Sequence, residues 1–409
     1  MKCSAPESVS RVAALTSSTA KRKWIANLFV AATLTYLSFI DGRLNCVDGE
    51  VMARLTAALV EHGTLTLEPS PWTSVGLDGH HYSKYGPAQS LLAVPLYALG
   101  LLVSTFLNFA PANLLTTASL SLFNPLAISM LLGLTVAVAL KLGTTAKVAT
   151  PLAFILGFGT CLGYYSKTFF SEPLQALLLL LAFERAQAYR SCKLPTDIWL
   201  TGVAIGVAGL VKPTCFLTVP LFVIYLWPSP LPASLLMAPI AACAAFLLGI
   251  NVLRFGSMTN FGYGSETFLP RPVGALGLLA SPRCGLIFYA TPLCLGLLGL
   301  PRMWRRAPRE CIFVVANSLL WWCVFSFWPI WDGNAWGPRY LIPAFPFLAL
   351  CMAYWLETLQ RHQVTAICLL FGLIQLPALF VSPAWFEYAI KVDIQTKTHQ
   401  SYDYTKHSQ

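Results

Sequence analysis

Apolar residues along this chain are gathered into long runs, not spread as periodic stripes. The runs occupy about 24–40, 89–107, 119–140, 148–165, 173–189, 198–211, 213–227, 231–253, 285–301, 311–328, 340–356 and 364–381. A helix needs about 20 apolar residues to cross the hydrocarbon core of a bilayer, so the pattern predicts a series of membrane-spanning helices. The pair at 198–211 and 213–227 is shorter and is divided by Lys212-Pro213. Proline removes a helix hydrogen bond there and marks a break between two spans. Hydrophilic residues concentrate in 41–88, 254–284 and the tail after 382, with a shorter Trp- and Gly-rich stretch at 329–339. Within the first of these, the pattern from Val51 to His62 predicts a short amphipathic helix ended by Gly63.

Composition agrees. Of 409 residues, 56% are hydrophobic and 11% charged, against about 25% charged in a soluble domain. Water is therefore not the main solvent of this surface. The net charge of +10 is placed in clusters: Lys21, Arg22 and Lys23 before the first run, and Arg302, Arg305, Arg306 and Arg309 between two later ones. Such clusters mark cytoplasmic loops under the positive-inside rule. No basic stripe with interleaved aromatics lies outside the apolar segments, which argues against nucleic acid as a partner. The 12 cysteines form no CxxC pair and no metal-ligand spacing; most lie inside apolar runs as small buried residues. The run Trp24 to Ile40 is long for a signal-peptide core, and Asp41-Gly42-Arg43 follows it in place of a small-residue cleavage site. It reads as an uncleaved first span.

Charge also fixes parity. With Lys21–Lys23 inside, the 41–88 loop lies outside. If 89–107 crossed fully, the basic loop from Lys141 to Lys147, the residues Arg185, Arg190 and Lys193, and the four-arginine cluster would all fall outside. If 89–107, broken by Pro95 and Gly100, lies along the interface or re-enters, every one of them returns to the cytoplasm. The second layout is the one expected. It gives an all-α integral membrane protein of about eleven spans, with interfacial helices in the first outer loop. A cytoplasmic segment 1–23 precedes a single transmembrane domain 24–385, and a tail 386–409 ends on the outer face. It also gathers 41–88, 166–172, 254–284, 329–339 and the tail on that outer face, where chemistry is to be sought.

The candidates follow from that face. Asp48 and Glu50 stand in Asp41-Gly42-Arg43-Leu44-Asn45-Cys46-Val47-Asp48-Gly49-Glu50. Each is either a helix-capping carboxylate or part of an acidic centre. Glu172 lies where one span ends and the next begins, before Pro173. An acid entering an apolar helix is expensive unless paired or ligated, and its plain alternative is an N-terminal helix charge. Converging carboxylates at one interface bind a divalent cation or deprotonate a hydroxyl. Lys84 precedes an interfacial apolar helix, where a lysine grips a lipid phosphate as a point charge or snorkels toward head groups. Asp332 sits between tryptophans and Arg339 at a span entrance, placed to meet sugar hydroxyls and a phosphate oxygen; aromatics there also serve as interfacial anchors. The 254–284 loop carries Glu266, Arg271 and Arg283 in a Gly/Pro/Ser setting that suits a substrate-covering loop.

Taken together, these residues resemble the C-type (GT-C) membrane glycosyltransferases, the group of the lipid A aminoarabinose transferase and the protein O-mannosyltransferases. The acidic first loop with Asp48 and Glu50 is similar to the group's catalytic acidic motif. Tyr82-Ser83-Lys84-Tyr85-Gly86-Pro87 resembles its Tyr-x-Lys-Pro-Pro element, and Tyr165-Ser166-Lys167 to Glu172-Pro173 its second acidic site. Trp331-Asp332-Gly333 through Gly337-Pro338-Arg339-Tyr340 looks like a late block of the class. The likeness runs from about residue 25 to 385. Two departures stand out: Gly49 splits the first acidic pair, and Tyr-Gly-Pro follows the lysine where relatives have Pro-Pro.

The resemblance implies inverting transfer of a sugar from a polyprenyl-phosphate donor to a glycolipid, glycan or protein acceptor. The place would be the periplasmic face of a bacterial inner membrane. Asp48, Glu50 and Glu172 are then the catalytic carboxylates, and Lys84, Tyr82, Arg283, Asp332 and Arg339 the substrate-binding residues. A divalent cation, Mg²⁺ or Mn²⁺, is a candidate ligand of Asp48 and Glu172. The rival readings are a transporter or flippase of lipid-linked sugars, which calls for inverted repeats and midplane helix breaks, and a relative that binds such lipids without reacting.

Overall fold

The computed structural model describes residues 18–107, 110–227, 233–264 and 266–382. The tail 386–409 and the first seventeen residues of the expected N-terminal segment lie outside these residues. The expected all-α architecture is present. Helix α1 (Ser18–Leu37) leads through a short turn into α2 (Val47–Glu61), the amphipathic helix the pattern predicts, closed by Gly63 at φ +63°. A three-stranded patch follows, β1 (Thr66–Leu67), β2 (Ser74–Val75) and β3 (His81–Tyr82), ordered β1-β3-β2 with Tyr82 opposite both Thr66 and Ser74. Pattern reading gave no sign of it, because two-residue strands carry no alternation to detect.

The remaining helices are α3 (Ala88–Phe106), α4 (Ala112–Leu120), α5 (Phe123–Lys141), α6 (Ala149–Phe158), α7 (Leu162–Tyr165), α8 (Glu172–Cys192), α9 (Pro195–Val211) and α10 (Val219–Leu226). They continue as α11 (Ala233–Phe255), α12 (Ala275–Ala280), α13 (Leu286–Tyr289), α14 (Thr291–Gly296), α15 (Leu300–Arg306), α16 (Pro308–Ser326), α17 (Phe345–Leu356) and α18 (Arg361–Phe380). Six stretches among the described residues are long and apolar enough to cross a membrane: 88–106, 112–141, 233–255, 308–326, 339–356 and 361–380. Shorter apolar helices occupy 146–158, 195–211 and 213–226. The run at 285–301 is divided into α13, α14 and α15 by Ala290 and a 3-10 turn, with prolines at 292 and 301 opening α14 and α15.

Small residues let these helices approach closely, the usual device where lipid removes the hydrophobic drive between helices. On α9, Gly202 and Gly206 face Leu236, Pro239 and Cys243 of α11, and Gly209 faces the Phe216 ring. Gly296 and the 3-10 residue Gly299 lie against Met352 and Cys351 of α17. The stretch 339–356 is 94% buried and forms the centre of the bundle. Around it, Phe183 stacks on Phe313 at 4.7 Å and meets Phe347 at 5.6 Å, joining α8, α16 and α17 in one aromatic core.

Charged groups segregate to the two ends. Helix α8 is 21 residues long, about 30 Å from end to end. At its C-terminal end Arg190 pairs with Glu310 at 3.4 Å, and Arg185 with Asp197 at 3.0 Å. Lys141 and Arg185 both meet Glu184, and Arg306 meets Glu357. The basic loops 141–147, 185–193 and 302–309 thus share one end. Glu172 opens α8 at the other.

The segment containing α3 and α4 leaves and returns to this second end. Gly86 lies against the carbonyls of Leu210 and Val211, at the end of α9. After α3 and α4, Asn124 at the start of α5 donates to the carbonyls of Tyr165, Thr168 and Phe170. Between 86 and 124 the chain therefore makes no net change of end.

Candidate functional site

Two tethers bring the first acidic loop to the second. Asn45, in the left-handed region at φ +53°, donates its side-chain amide to Lys167 O at 3.0 Å, and Phe169 N donates to Leu44 O at 3.1 Å. Buried Asn124 organises the same 165–170 turn from the other side. Asp48, in the first turn of α2, and Glu172, in the first turn of α8, are thereby set around one guanidinium. Arg339 Nη2 donates to Asp48 Oδ2 at 2.5 Å, Nε to Glu172 Oε1 at 3.0 Å, and Nη1 to Gly333 O at 3.2 Å. Its guanidinium also lies 4.1 Å from the centre of the Phe170 ring.

A second cation completes the cluster. Lys212 ends α9, its ammonium 3.4 Å from Glu172 Oε1 and over the rings of Tyr340 and Phe325 at 4.5 and 4.9 Å. Two carboxylates and two cations balance, and every one of these side chains is at most 21% exposed. Burial opposes ionisation of Asp48, but the Arg339 charge and the hydrogen bond from Tyr85 outweigh it and hold the carboxyl below its ordinary value. Tyr85 OH reaches Asp48 Oδ1 at 2.8 Å. At Lys212, burial lowers the ammonium pKa, against the pull of Glu172.

Lys84 stands next along this wall. Its ammonium pairs with Glu266 at 3.1 Å and lies 5.1 Å from the Tyr263 ring centre. The segment carrying it is clamped by buried Arg254, which donates to Ser83 O at 2.6 Å and Tyr85 O at 3.3 Å. On the opposite flank, Arg283 pairs with Asp332 at 3.0 Å and donates to Asn334 Oδ1 at 3.1 Å. Gly333, between these two loop residues, is the one whose carbonyl Arg339 holds.

Two of the expected residues stand apart. Glu50 is exposed and faces a separate cavity across α2 from Asp48. Two residues along a helix turn the side chain by about 200°, so the two acids of this motif do not share a centre. Tyr82 is turned toward the hairpin: its OH donates to Asp78 Oδ2 at 2.6 Å and its ring meets Phe255. Both departures from the family pattern have a steric reason. A Cβ at Gly49 would lie 2.6 Å from Cys46 Sγ and 2.8 Å from Phe169 Cβ, so an acid adjacent to Asp48 has no room. A Cβ at Gly86 would run into the carbonyl oxygens of Leu210 and Val211.

As a metal centre the donor set fits poorly. Asp48 and Glu172 converge on a guanidinium, and among the described residues no three His, Cys, Asp or Glu side chains group to hold an ion. Lys212, Tyr85 and Arg254 are the site residues sequence reasoning passed over. Their signal was present: Lys212 interrupts an apolar stretch, and Arg254 ends one on the face that the positive-inside rule leaves poor in cations.

The buried ion cluster lies where interrupted helices end, at one end of a polytopic membrane bundle whose fold is shared with solved GT-C structures. No protein-family model matches the sequence, and no curated protein matches it. Solved structures do. ArnT from Cupriavidus metallidurans bound to undecaprenyl phosphate superposes with a TM-score of 0.58 at 17% identity, over 86% of this chain and 62% of that one. Its apo state gives 0.59 at 16% identity, over 85% and 62%. The archaeal oligosaccharyltransferase AglB from Archaeoglobus fulgidus, in complex with an inhibitory peptide and a dolichol-phosphate, gives 0.51 at 11% identity, over 95% and 60%. The chain spans about three fifths of the length of these proteins.

Proposed function

We propose that the protein transfers a sugar from a polyprenyl-phosphate carrier to an acceptor hydroxyl, with inversion, at the outer face of a bacterial plasma membrane. The observation that carries this reading is the Arg339 bridge between Asp48 and Glu172, beside Lys212 and Lys84. It sets a carboxylate base within reach of cations suited to a departing phosphate. The undecaprenyl phosphate and dolichol-phosphate held by the two similar proteins support a lipid-phosphate donor. The basic loops 141–147, 185–193 and 302–309, at the end opposite Asp48, support this sidedness, because such clusters favour the cytoplasmic side.

In this reading the acceptor oxygen attacks the anomeric carbon from the face opposite the phosphate. The carbon–oxygen bond to the carrier breaks, its electron pair leaves with the phosphate, and the hydroxyl proton passes to Asp48. A carboxylate held by Arg339 is a weak base. An incoming donor phosphate competes for that guanidinium, and the Asp48 pKa rises as the contact loosens. Glu172 and Lys212 orient the arginine through this exchange. Arg283 and Asp332 hold the 332–334 loop, whose Gly333 carbonyl steadies Arg339. No step runs through a metal ion.

The test supplies labelled polyprenyl-phosphate sugars and membrane glycolipid extracts to the purified full chain in proteoliposomes. Transfer to product is expected, with Asp48→Asn and Lys84→Ala each slower by roughly 10²–10³. Translocation of the label without a new glycosidic bond, or transfer unimpaired in both variants, would overturn the reading.

A further inference from the structure

A cavity of about 730 Å³ lies on the side of α2 away from Asp48. Its walls are the outward face of α2, the facing side of α4, Tyr97 of α3 and the 43–45 turn. Two guanidinium groups line it, Arg43 and Arg54. Arg339, Arg283 and Arg254 at this end of the molecule are bound to carboxylates or carbonyls. By contrast, the Arg43 and Arg54 side chains are exposed and meet no carboxylate among the described residues. Glu50, one turn before Arg54, lines the same space without pairing to either. Asn113 and Thr117 of α4 add neutral hydrogen-bonding groups opposite.

The surroundings are apolar. Helix α3 exposes Leu91, Leu92, Leu99, Leu102 and Phe106, and α4 exposes Leu114. These apolar side chains lie on the faces of α3 and α4 turned away from Tyr97 and Thr116, so they face the lipid and do not line the cavity. A pair of uncommitted arginines in a cavity between two lipid-facing helices suits a lipid with an anionic head. Guanidinium groups match phosphate oxygens in fork geometry, and the volume lies within the ~300–1,000 Å³ usual for small-molecule sites. We infer that this cavity binds the phosphate-bearing headgroup of an anionic amphiphile, with Arg43 and Arg54 as its ligands. Glu50 limits the site to one phosphate by repelling a second, and accepts hydrogen bonds from headgroup hydroxyls. The site is distinct from the Asp48 cluster, and its occupancy does not depend on glycosyl transfer.

Native mass spectrometry of the purified full chain in non-ionic detergent, titrated with phosphatidic acid, tests this without any sugar donor. Wild type is expected to bind phosphatidic acid in clear preference to phosphatidylcholine. The Arg43→Ala/Arg54→Ala double variant should bind it about tenfold more weakly, and Glu50→Gln as well or better, since a like charge is removed. Arg43→Lys/Arg54→Lys should recover part of the binding, which a misfolded chain would not. Unchanged binding by the double alanine variant, or weaker binding by Glu50→Gln, overturns the assignment. Displacement of the lipid by an equal concentration of inorganic phosphate overturns its amphiphile part and assigns the cavity to a soluble phosphate.

Discussion

Replacing Arg339 by lysine keeps the charge at the centre of the cluster and removes its geometry. The guanidinium serves three acceptors at once: Asp48 at 2.5 Å, Glu172 at 3.0 Å and the Gly333 carbonyl at 3.2 Å. A single ammonium on a flexible stem reaches one of the two carboxylates. The variant therefore loses one hydrogen bond to a charged group, worth about 1.5–3 kcal/mol, and one to a carbonyl, worth about 1. The stacking on Phe170 weakens as well. A loss of about 3 kcal/mol results, and it should lower the thermal midpoint of the purified protein in detergent by roughly 3–4 °C. Arg339→Ala, which also leaves both carboxylates without that charge, should cost more, about 3–5 kcal/mol. If Arg339→Lys melts with wild type, the fork does not hold the two acidic segments together, and the account of the site fails.

Four further outcomes follow from the same geometry. Glu172→Gln and Lys212→Met each strip one charge from a balanced buried set and should each destabilise by about 3 kcal/mol. The double variant should cost less than the sum by about 0.5–3 kcal/mol in a double-mutant cycle; full additivity would show that the pair does not interact. Asp48 is held below its ordinary value of 3.8, so its ionisation stabilises the fold at higher pH, and that contribution fades as pH falls below about 3.8 through the depressed value. Acid titration of the melting midpoint should show this loss in wild type and not in Asp48→Asn. Gly49→Ala should destabilise by about 1–3 kcal/mol through overpacking against Cys46 and Phe169, and an unchanged midpoint would show that the helix start adapts. Since Arg339 stands between the two carboxylates, EDTA should leave the rate of the proposed transfer within about twofold, because a rate carried by one metal-borne charge would fall by roughly 10²–10³.

Sequence alone determined the solvent of this protein, its helical membrane class and the grouping of its basic loops at one end. Eleven per cent charge and runs of about 20 apolar residues leave no soluble alternative. The clustering of basic loops assigned 141–147, 185–193 and 302–309 to one side because the cost of burying charge in lipid is a one-dimensional property of the chain. Asp48, Glu172, Lys84 and Arg339 were legible for the same reason: each is a charge at the border of an apolar segment, where it needs a partner.

Who partners whom belongs to the tertiary structure. Arg339 is 291 positions from Asp48 and 167 from Glu172, and nothing local to any of the three says that they meet. Lys212 read as a helix break because its Pro213 is visible locally, while its ion pair with Glu172 depends on how α8 and α9 pack. Glu50 read as a companion of Asp48 because the two are neighbours in sequence; a helix of 3.6 residues per turn points them to opposite sides. Gly49 and Gly86 read as departures from a motif, and only the packed chains show the Phe169 side chain and the Leu210 carbonyl that require them. Solvent preference is additive along a sequence; the convergence of single side chains from distant segments is decided where helices touch.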